Sequence, residues 1–293
     1  MNQTVKLVFN LFKLRIGIVI AITALAGYAI TPGHAAAWQV GVLALAVLVS
    51  SAAAGAFNQY YESDLDHLME RTRRRPFVTG AMRPHQGWPV LIAALCAIAV
   101  GAAWAAVNPW AALYTFLGAF FYAVVYTVWL KRRTWWNIVI GGLAGSFAVL
   151  AGSAAVTPSL SPEAMLLALV LFLWTPSHFW SLAILIKDDY AKAGVPMLPV
   201  VAGNAVCAKW ILANTVALVG SALLPVAFGE LGWLYGVVST AFGLRFLWLN
   251  VKLVQDPSAV WARRNFLFSM QYLAGVFLAV VLDRHVPLAA WFA

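Results

Sequence analysis

The segment Asn58-Gln-Tyr-Tyr-Glu62-Ser-Asp64-Leu-Asp66 sets a carboxamide and two carboxylates at intervals of four residues. On a helix, positions 58, 62 and 66 share one face with modest drift, so three oxygen-bearing side chains point together. Like charges at that spacing repel by about a few tenths of a kcal/mol per pair, so helix propensity alone would not select them. A divalent cation reverses that sign. Mg2+ takes oxygen ligands, keeps several waters, and binds through one or two carboxylates together with substrate phosphates. Asp64 falls off the shared face unless the helix unwinds there. Lys187-Asp188-Asp189-Tyr190 supplies a second acidic group, and the two groups facing one another would make a two-part metal site. The plainer alternative is a solvated, acid-rich helix end balanced by the arginines that follow it.

Those arginines begin at once, in Arg71-Thr72-Arg73-Arg74-Arg75-Pro76, and a second basic run follows at Lys131-Arg132-Arg133. Guanidinium forks bind phosphate oxygens in pairs, lysine adds a compact charge, and metal-bridged phosphates need carboxylates nearby. Acid and base together suit a diphosphate. If the same residues stand at the mouth of an apolar helical bundle, the matching substrate has a diphosphate head and a hydrocarbon tail, as polyprenyl diphosphates do. The chemistry would be ionisation: metal and cationic side chains stabilise the leaving diphosphate, and apolar walls shelter an allylic cation from water. The competing explanation for the basic residues is topology, or contact with anionic lipid.

These side chains need a scaffold, and the composition defines it. The chain has 293 residues, 63% hydrophobic and 10% charged, whereas soluble domains run near a quarter charged. A soluble globular enzyme and a disordered chain are both excluded. Runs of roughly 20 apolar residues cross a bilayer core. Nine are predicted, at about 16–31, 38–57, 89–106, 110–130, 136–156, 163–186, 208–228, 231–250 and 266–283, forming one all-α, polytopic transmembrane domain over 1–293. The first run is too long for a signal peptide and lacks a small-residue cleavage site. Asn108-Pro109 and Phe228-Gly229-Glu230 mark tight turns between antiparallel neighbours. Of 19 Lys and Arg residues, 18 fall before the first run or in alternate connections, and Arg284 alone lies on the other side. The positive-inside rule then makes the N-terminus and the acidic and basic loops cytoplasmic and the C-terminus opposite. The net charge of +9 is therefore a topology signal, and no nucleic-acid partner is implied. Cys96 and Cys207 are far apart, and no disulfide is expected.

Asn58 to Asp66 is similar to the first motif of the UbiA-type intramembrane prenyltransferases, and the 187–199 segment resembles their second. The closer resemblance is to the haem-farnesylating branch of that family. It is carried by Asn58-x-x-x-Glu62-x-Asp64-x-Asp66-x-x-Met69-x-Arg71-Thr72-x-x-Arg75-Pro76, by Tyr126-Thr-x-Trp-Leu-Lys131-Arg-x-Thr134, by Trp174-Thr-Pro-x-His178-Phe-Trp180 and by Asp189-Tyr-x-x-Ala-Gly194-Val-Pro-Met-Leu-Pro199, in order along most of the chain. The resemblance implies nine helices around a central cavity and Mg2+-dependent transfer of farnesyl from farnesyl diphosphate to a vinyl group of haem B, giving haem O. Haem B is then a substrate rather than a cofactor. Carried over residue by residue, Asn58, Glu62 and Asp66 organise one metal, Asp188 or Asp189 assists a second, and Arg71, Arg75, Lys131 and Lys192 hold diphosphate. Glu62 stands where the broader family commonly has Asp, and no further acid follows Tyr190 before Gly194. Further implications are a location in the bilayer, the inner membrane for a bacterial source, and partners in haem A synthesis or terminal oxidase assembly.

His178 lies about eight residues before the inner end of its predicted span, roughly 12 Å deep at helical rise. Ionisable residues inside a membrane are functional candidates by default. Alone, His178 beside Pro176 is equally explained by a hydrogen bond to a neighbouring carbonyl; with the resemblance it contacts haem, at the iron or at a propionate. Most of the 14 Trp residues read as interface anchors or packing. Tyr60, Tyr61, Tyr122 and Tyr126 are candidates to face an allylic cation. Two competitors remain: a prenyltransferase of an aromatic quinone precursor, and a non-enzymatic haem or lipid transporter. The transporter leaves the 58–66 spacing unexplained.

Overall fold

The computed structural model describes residues 3–285, and among them every regular element is a helix. In chain order these are α1 (Gln3–Leu11), α2 (Leu14–Ile30), α3 (Ala37–Tyr61), α4 (Ser63–Asp66), α5 (Gly87–Ala106), α6 (Pro109–Phe120) continuing as a π-helix (Phe121–Leu130), α7 (Asn137–Gly141), α8 (Leu143–Ala154), α9 (Pro162–Leu185), α10 (Lys187–Lys192), α11 (Leu198–Ala227), α12 (Trp233–Gln255) and α13 (Ala259–His285). Eight of the described spans are long and apolar enough to cross a membrane, and a ninth is counted when α1 and α2, bent by 53° at their junction, are taken as one. The expected far-side C-terminus falls on residues outside the described ones.

Helix ends follow local chemistry. Asn108 caps α6, its Oδ1 accepting the Ala111 N–H at 2.9 Å with Pro109 at the first helical position. Ser161 caps α9 in the same way, accepting from Ala164 N at 3.1 Å ahead of Pro162. Three spans depart from the hydropathy runs, the eighth by running five residues further, to Gln255. The seventh begins ten residues earlier than expected, because Leu198–Ala202 form a helical turn that kinks at Gly203, where φ is +80°. The ninth begins at Ala259, since Arg263, Arg264 and Asn265 continue the helix although they interrupt the apolar run.

In a bilayer, apolar contact alone does not hold helices together, so close packing and interhelical hydrogen bonds do. Gly27 of α2 and Gly152 of α8 let two backbones touch: a methyl group on Gly27 would strike the Val149 carbonyl, and one on Gly152 the Ala24 carbonyl. At the other side of the bundle a buried polar chain stitches α9, α11, α12 and α13. Ser177 meets Thr215 at 2.8 Å, Thr215 donates to Asn250 Oδ1 at 3.2 Å, Asn250 to Asn265 Oδ1 at 3.1 Å, and Asn265 to Ser181 at 2.8 Å. Between the same four helices an apolar cluster includes the fully buried Leu167, Leu218, Tyr235, Phe246 and Tyr272. Salt bridges mark both ends of the bundle. Glu163 and Arg284 meet where α9 begins and α13 closes, and Glu62 meets Lys131 where α3 and the π-helix finish.

Candidate active site at one end of the bundle

Helix α3 runs to Tyr61, breaks at Glu62 (φ −94°, ψ 11°) and resumes as the single turn of α4. The break preserves the four-residue spacing: Glu62 N donates to Asn58 O at 3.0 Å and Asp66 N to Glu62 O at 2.9 Å. Asn58, Glu62 and Asp66 consequently end on one face and are buried, at 2%, 0% and 0% exposure. Asp64 turns away, as its position requires. Arg132 grips both its oxygens at 2.8 Å on the exposed side, and that hydrogen-bonded guanidinium holds the Asp64 carboxyl below the usual carboxylate range.

Each member of the buried face meets a cation. Lys131 Nζ donates to Glu62 Oε2 at 2.5 Å, and Arg75 to Asp66 Oδ2 at 2.6 Å. The π-helix positions the first of these, since Lys131 N bonds back five residues to Tyr126 O at 2.9 Å. Burial pushes the Asp66 carboxyl up, opposed by the Arg75 charge, and pushes the Lys131 ammonium down, opposed by Glu62. The third cation is Lys13, whose ammonium donates to Asn58 Oδ1 at 2.7 Å and to the Tyr122 hydroxyl at 3.1 Å. Asn58 Nδ2 in turn donates to Thr127 at 3.1 Å, and Thr127 to the Tyr122 carbonyl at 2.8 Å, which fixes the amide orientation.

Lys13 escapes the sequence reading, which counts it only as a basic residue ahead of an apolar run. Its backbone is left-handed, with φ 48° and ψ 41°, an arrangement that costs a residue with a Cβ about 1–2 kcal/mol. Gln59, one residue along from Asn58, secures the break by donating to the Asn10 and Leu11 carbonyls at 2.7 and 3.0 Å. Thr127 is missed as well, and Tyr122 is named there only as an aromatic face and not as a partner of Lys13, because a π-helical register has no distinctive apolar period. Tyr122 and Tyr126 stack at 5.6 Å between ring centroids, with Lys13 and Lys131 over their respective faces. Tyr60 instead packs edge-on to Phe77, and Tyr61 stacks on Phe57 beneath Arg132.

The second acidic group is used differently from the first. Asp189 accepts the backbone N–H groups of Glu70 and Arg71, both at 3.2 Å, so it orders the arginine loop. Asp188 and Lys192 are exposed, as is Arg71, which reaches the Tyr190 hydroxyl. Among the described residues no three His, Cys, Asp or Glu side chains stand together as a ready metal cluster. The first group still suits Mg2+ on its own chemistry. Glu62 Oε1 and Asp66 Oδ1 are buried without a hydrogen-bond partner, and a magnesium ion needs only one or two carboxylates when phosphate and water complete its shell.

His178 sits within α9, stacked between Trp174 at 4.3 Å and Phe266 at 4.7 Å. Its Nδ1 lies 2.7 Å from Ser269 Oγ, and the Ser269 hydroxyl donates to the Phe266 carbonyl at 2.6 Å. When the hydroxyl gives its proton to that carbonyl, Nδ1–H is the donor to Ser269 and Nε2 carries the lone pair; when it turns to Nδ1, the ring proton sits on Nε2 instead. Trp174 Nε1 donates to the Ser269 carbonyl at 2.7 Å and steadies the pair.

A model of the UbiA prenyltransferase family matches residues 20–277. The chain is 54% identical to protoheme IX farnesyltransferase 2 of Paramagnetospirillum magneticum, over 97% of this chain and 98% of that protein. It is 51% identical to protoheme IX farnesyltransferase 1 of the same organism, over 97% and 100%. With the protoheme IX farnesyltransferase of Rhizobium johnstonii the identity is 39%, over 95% and 89%. Among solved structures, a digeranylgeranylglyceryl phosphate synthase superposes with a TM-score of 0.80 at 18% identity, covering 97% of this chain and 99% of that one. A UbiA homolog from Archaeoglobus fulgidus bound to DMAPP and Mg2+ gives 0.71 at 16% identity, covering 93% and 98%. At such identities the two superpositions establish a shared fold.

Proposed function

The chain belongs to the UbiA prenyltransferase family, and on that premise we propose that it transfers the farnesyl group of farnesyl diphosphate to a vinyl group of haem B, producing haem O. It is a prenyltransferase and a multi-pass integral membrane protein. The observation that carries the reading is the buried set Asn58, Glu62 and Asp66, two of whose carboxylate oxygens lack a partner while three cations surround them.

Asn58, Glu62 and Asp66 would hold Mg2+, which when bound supplies charge neutralisation to the departing diphosphate. Lys131 and Arg75 meet the diphosphate oxygens from either side, with Arg71 and Lys192 available at the exposed rim. As the allylic C–O bond lengthens, their positive charge stabilises the negative charge gathering on the leaving group. Tyr122 and Tyr126 turn stacked aromatic faces toward the same cations, and those faces suit a developing carbocation too. The apolar bundle keeps water from that carbocation until the terminal vinyl carbon attacks it, and the cation this leaves on the other vinyl carbon then takes up water and loses a proton to give the product hydroxyl. His178 contacts haem through Nε2: at the iron in the tautomer that keeps the proton on Nδ1 toward Ser269, or at a propionate in the other. Asp189 serves by ordering the arginine loop, and any part in a second metal would be taken beside Asp188 at the rim. The diphosphate end faces the cytoplasm on this reading, supported by 18 of 19 basic residues.

The test is incubation of the purified protein in detergent with haem B, farnesyl diphosphate and Mg2+, with the haem mass read with and without chelator. A chelator-sensitive gain of a farnesyl group plus water is expected. Prenylation of a hydroxybenzoate or naphthoate in place of haem would overturn the acceptor assignment.

A further inference from the structure

Arg245 stands inside the eighth apolar run, ten residues before α12 ends at Gln255, so its Cα lies roughly 15 Å from that end of the helix. It is exposed there, beside the exposed Leu244 and Trp248, on a face the bundle turns outward. Ionisable side chains within a span normally face the bundle interior or a water-filled cavity. A basic residue that only set topology would belong beyond the run, in the connection. Neither account covers Arg245.

Its surroundings form a basic and aromatic cleft. The Arg245 guanidinium lies 4.3 Å from the ring centre of Trp248, one turn nearer Gln255, so the long side chain leans toward the end of the bundle that bears Glu62 and Lys131. Across the cleft Arg264 of α13 covers Trp261 at 4.6 Å, and the two indoles meet edge to face at 5.9 Å. Lys252 brings a third cation within 5.9 Å of the Trp248 ring, its Nζ donating to Gln255 Oε1 at 3.2 Å. Leu249, Leu267 and Phe268 line the groove between the two helices that carry these charges. Among the described residues no carboxylate pairs with Arg245, Lys252 or Arg264, and the nearest acid along the chain, Asp256, accepts from the Ser258 hydroxyl.

We infer that this groove binds an anionic phospholipid, its phosphate between Arg245 and Arg264 and an acyl chain along Leu249, Leu267 and Phe268. The inference is independent of the haem and diphosphate readings. Three cations without a counter-charge select a ligand of net negative charge, guanidinium forks take phosphate oxygens in pairs, and the apolar walls select a ligand with a hydrocarbon chain. A zwitterionic phospholipid fits less well, because its ammonium enters beside three cations. The level in the bilayer agrees: Trp rings favour the region where headgroups meet chains, and basic pockets between helices on the cytoplasmic side suit phosphate headgroups. Since Arg245 belongs to α12 and Arg264 to α13, one lipid ties the two helices together.

The experiment is a titration of the full chain, stripped of lipid in detergent, with phosphatidylglycerol or phosphatidylcholine of identical chains, read by native mass spectrometry. The parent is expected to bind phosphatidylglycerol in preference, and its unfolding temperature to rise more with that lipid than with phosphatidylcholine. Arg245→Gln/Arg264→Gln is expected to bind phosphatidylglycerol roughly thirtyfold more weakly, the loss of two cations near the membrane surface, with phosphatidylcholine far less affected. Arg74→Gln/Arg83→Gln removes the same charge from exposed loop positions at the same end and should behave as the parent. Arg245→Lys/Arg264→Lys keeps the charge and should hold most of the preference, which preserves the test if the glutamine pair disturbs folding. A parent without preference, or an equal loss in both glutamine pairs, overturns the inference. Displacement of phosphatidylglycerol by equimolar haem B or by inorganic phosphate overturns it too, because the groove then belongs to a propionate or to a free anion.

Discussion

Glu62 and Asp64 stand two residues apart in one acidic segment, and their surroundings give them opposite roles. Glu62 is buried against Lys131 with one oxygen unpartnered, whereas Asp64 is mostly exposed and fully occupied by Arg132. Glu62→Gln and Asp66→Asn are therefore expected to lower Mg2+-dependent turnover by about a hundredfold or more, the scale of losing preorganised charge stabilisation. Asp64→Asn should keep most turnover and cost less than about 1 kcal/mol, because exposed pairs are screened. The Asp64 carboxyl is held below its ordinary range in the fold, so its small contribution is present above that range and fades as pH falls through the lowered value. Turnover and thermal unfolding of the three variants, measured side by side, check the contrast. At His178 the expected outcome concerns binding: His178→Ala should weaken haem affinity and, where the contact is at the iron, remove the histidine-ligated signature from the visible spectrum of the haem complex. An unchanged affinity would return His178 to a packing role. The spacing of Asn58, Glu62 and Asp66 is legible in sequence because it is local. The hydrogen bond of His178 is not, since Ser269 lies on α13, 91 residues away.

Helix boundaries were readable wherever apolar runs met capping residues, as at Asn108-Pro109 and Ser161-Pro162. They were less readable where a helix does something irregular, and those irregularities build the site. The π-helix turns Thr127 and Lys131 toward Asn58 and Glu62, the break after α1 delivers Lys13, and the interruption at Glu62 lets α4 bring Asp66 to Arg75. None alters hydropathy, so none has a periodic signature. Asp189 illustrates the same limit from the other direction. Two adjacent acids suggest a metal, but the loop that approaches them presents backbone N–H groups. The placement of α2 depends on its contact with α8 through Gly27 and Gly152. Gly152→Ala must push the two backbones apart, at about 1–3 kcal/mol. Because α2 carries Lys13 to Asn58, turnover is expected to fall along with the unfolding temperature, while His178, held by α9 and α13, keeps its haem spectrum. Equal loss of haem binding would show that the strain spreads through the whole bundle.

Over the whole molecule, charge is sorted by end. The end bearing Glu62, Asp66, Lys131 and the arginine loop collects most of the basic residues, with Arg245 standing midway along α12, whereas the other end holds Glu163, Glu230, Asp283 and Arg284. Asp283 there accepts the Gly232 and Tyr235 N–H groups at 2.6 and 3.2 Å, capping α12, so its charge is structural. The segregation was legible from sequence because it needs only the order of apolar runs and the position of each Lys and Arg. It also makes orientation a consequence of the same residues that would bind diphosphate: a chain inserted with its basic loops cytoplasmic necessarily opens its site to that compartment. Arg74, exposed in the arginine loop, and Ser159, exposed in the connection before α9, sit at opposite ends and outside the candidate site. Single cysteines placed there, with Cys96 and Cys207 replaced, can be labelled with a membrane-impermeant maleimide. Arg74→Cys is expected to react only in inverted vesicles and Ser159→Cys only in intact cells. The reverse pattern would put the site on the far side and require the diphosphate substrate to be supplied from there.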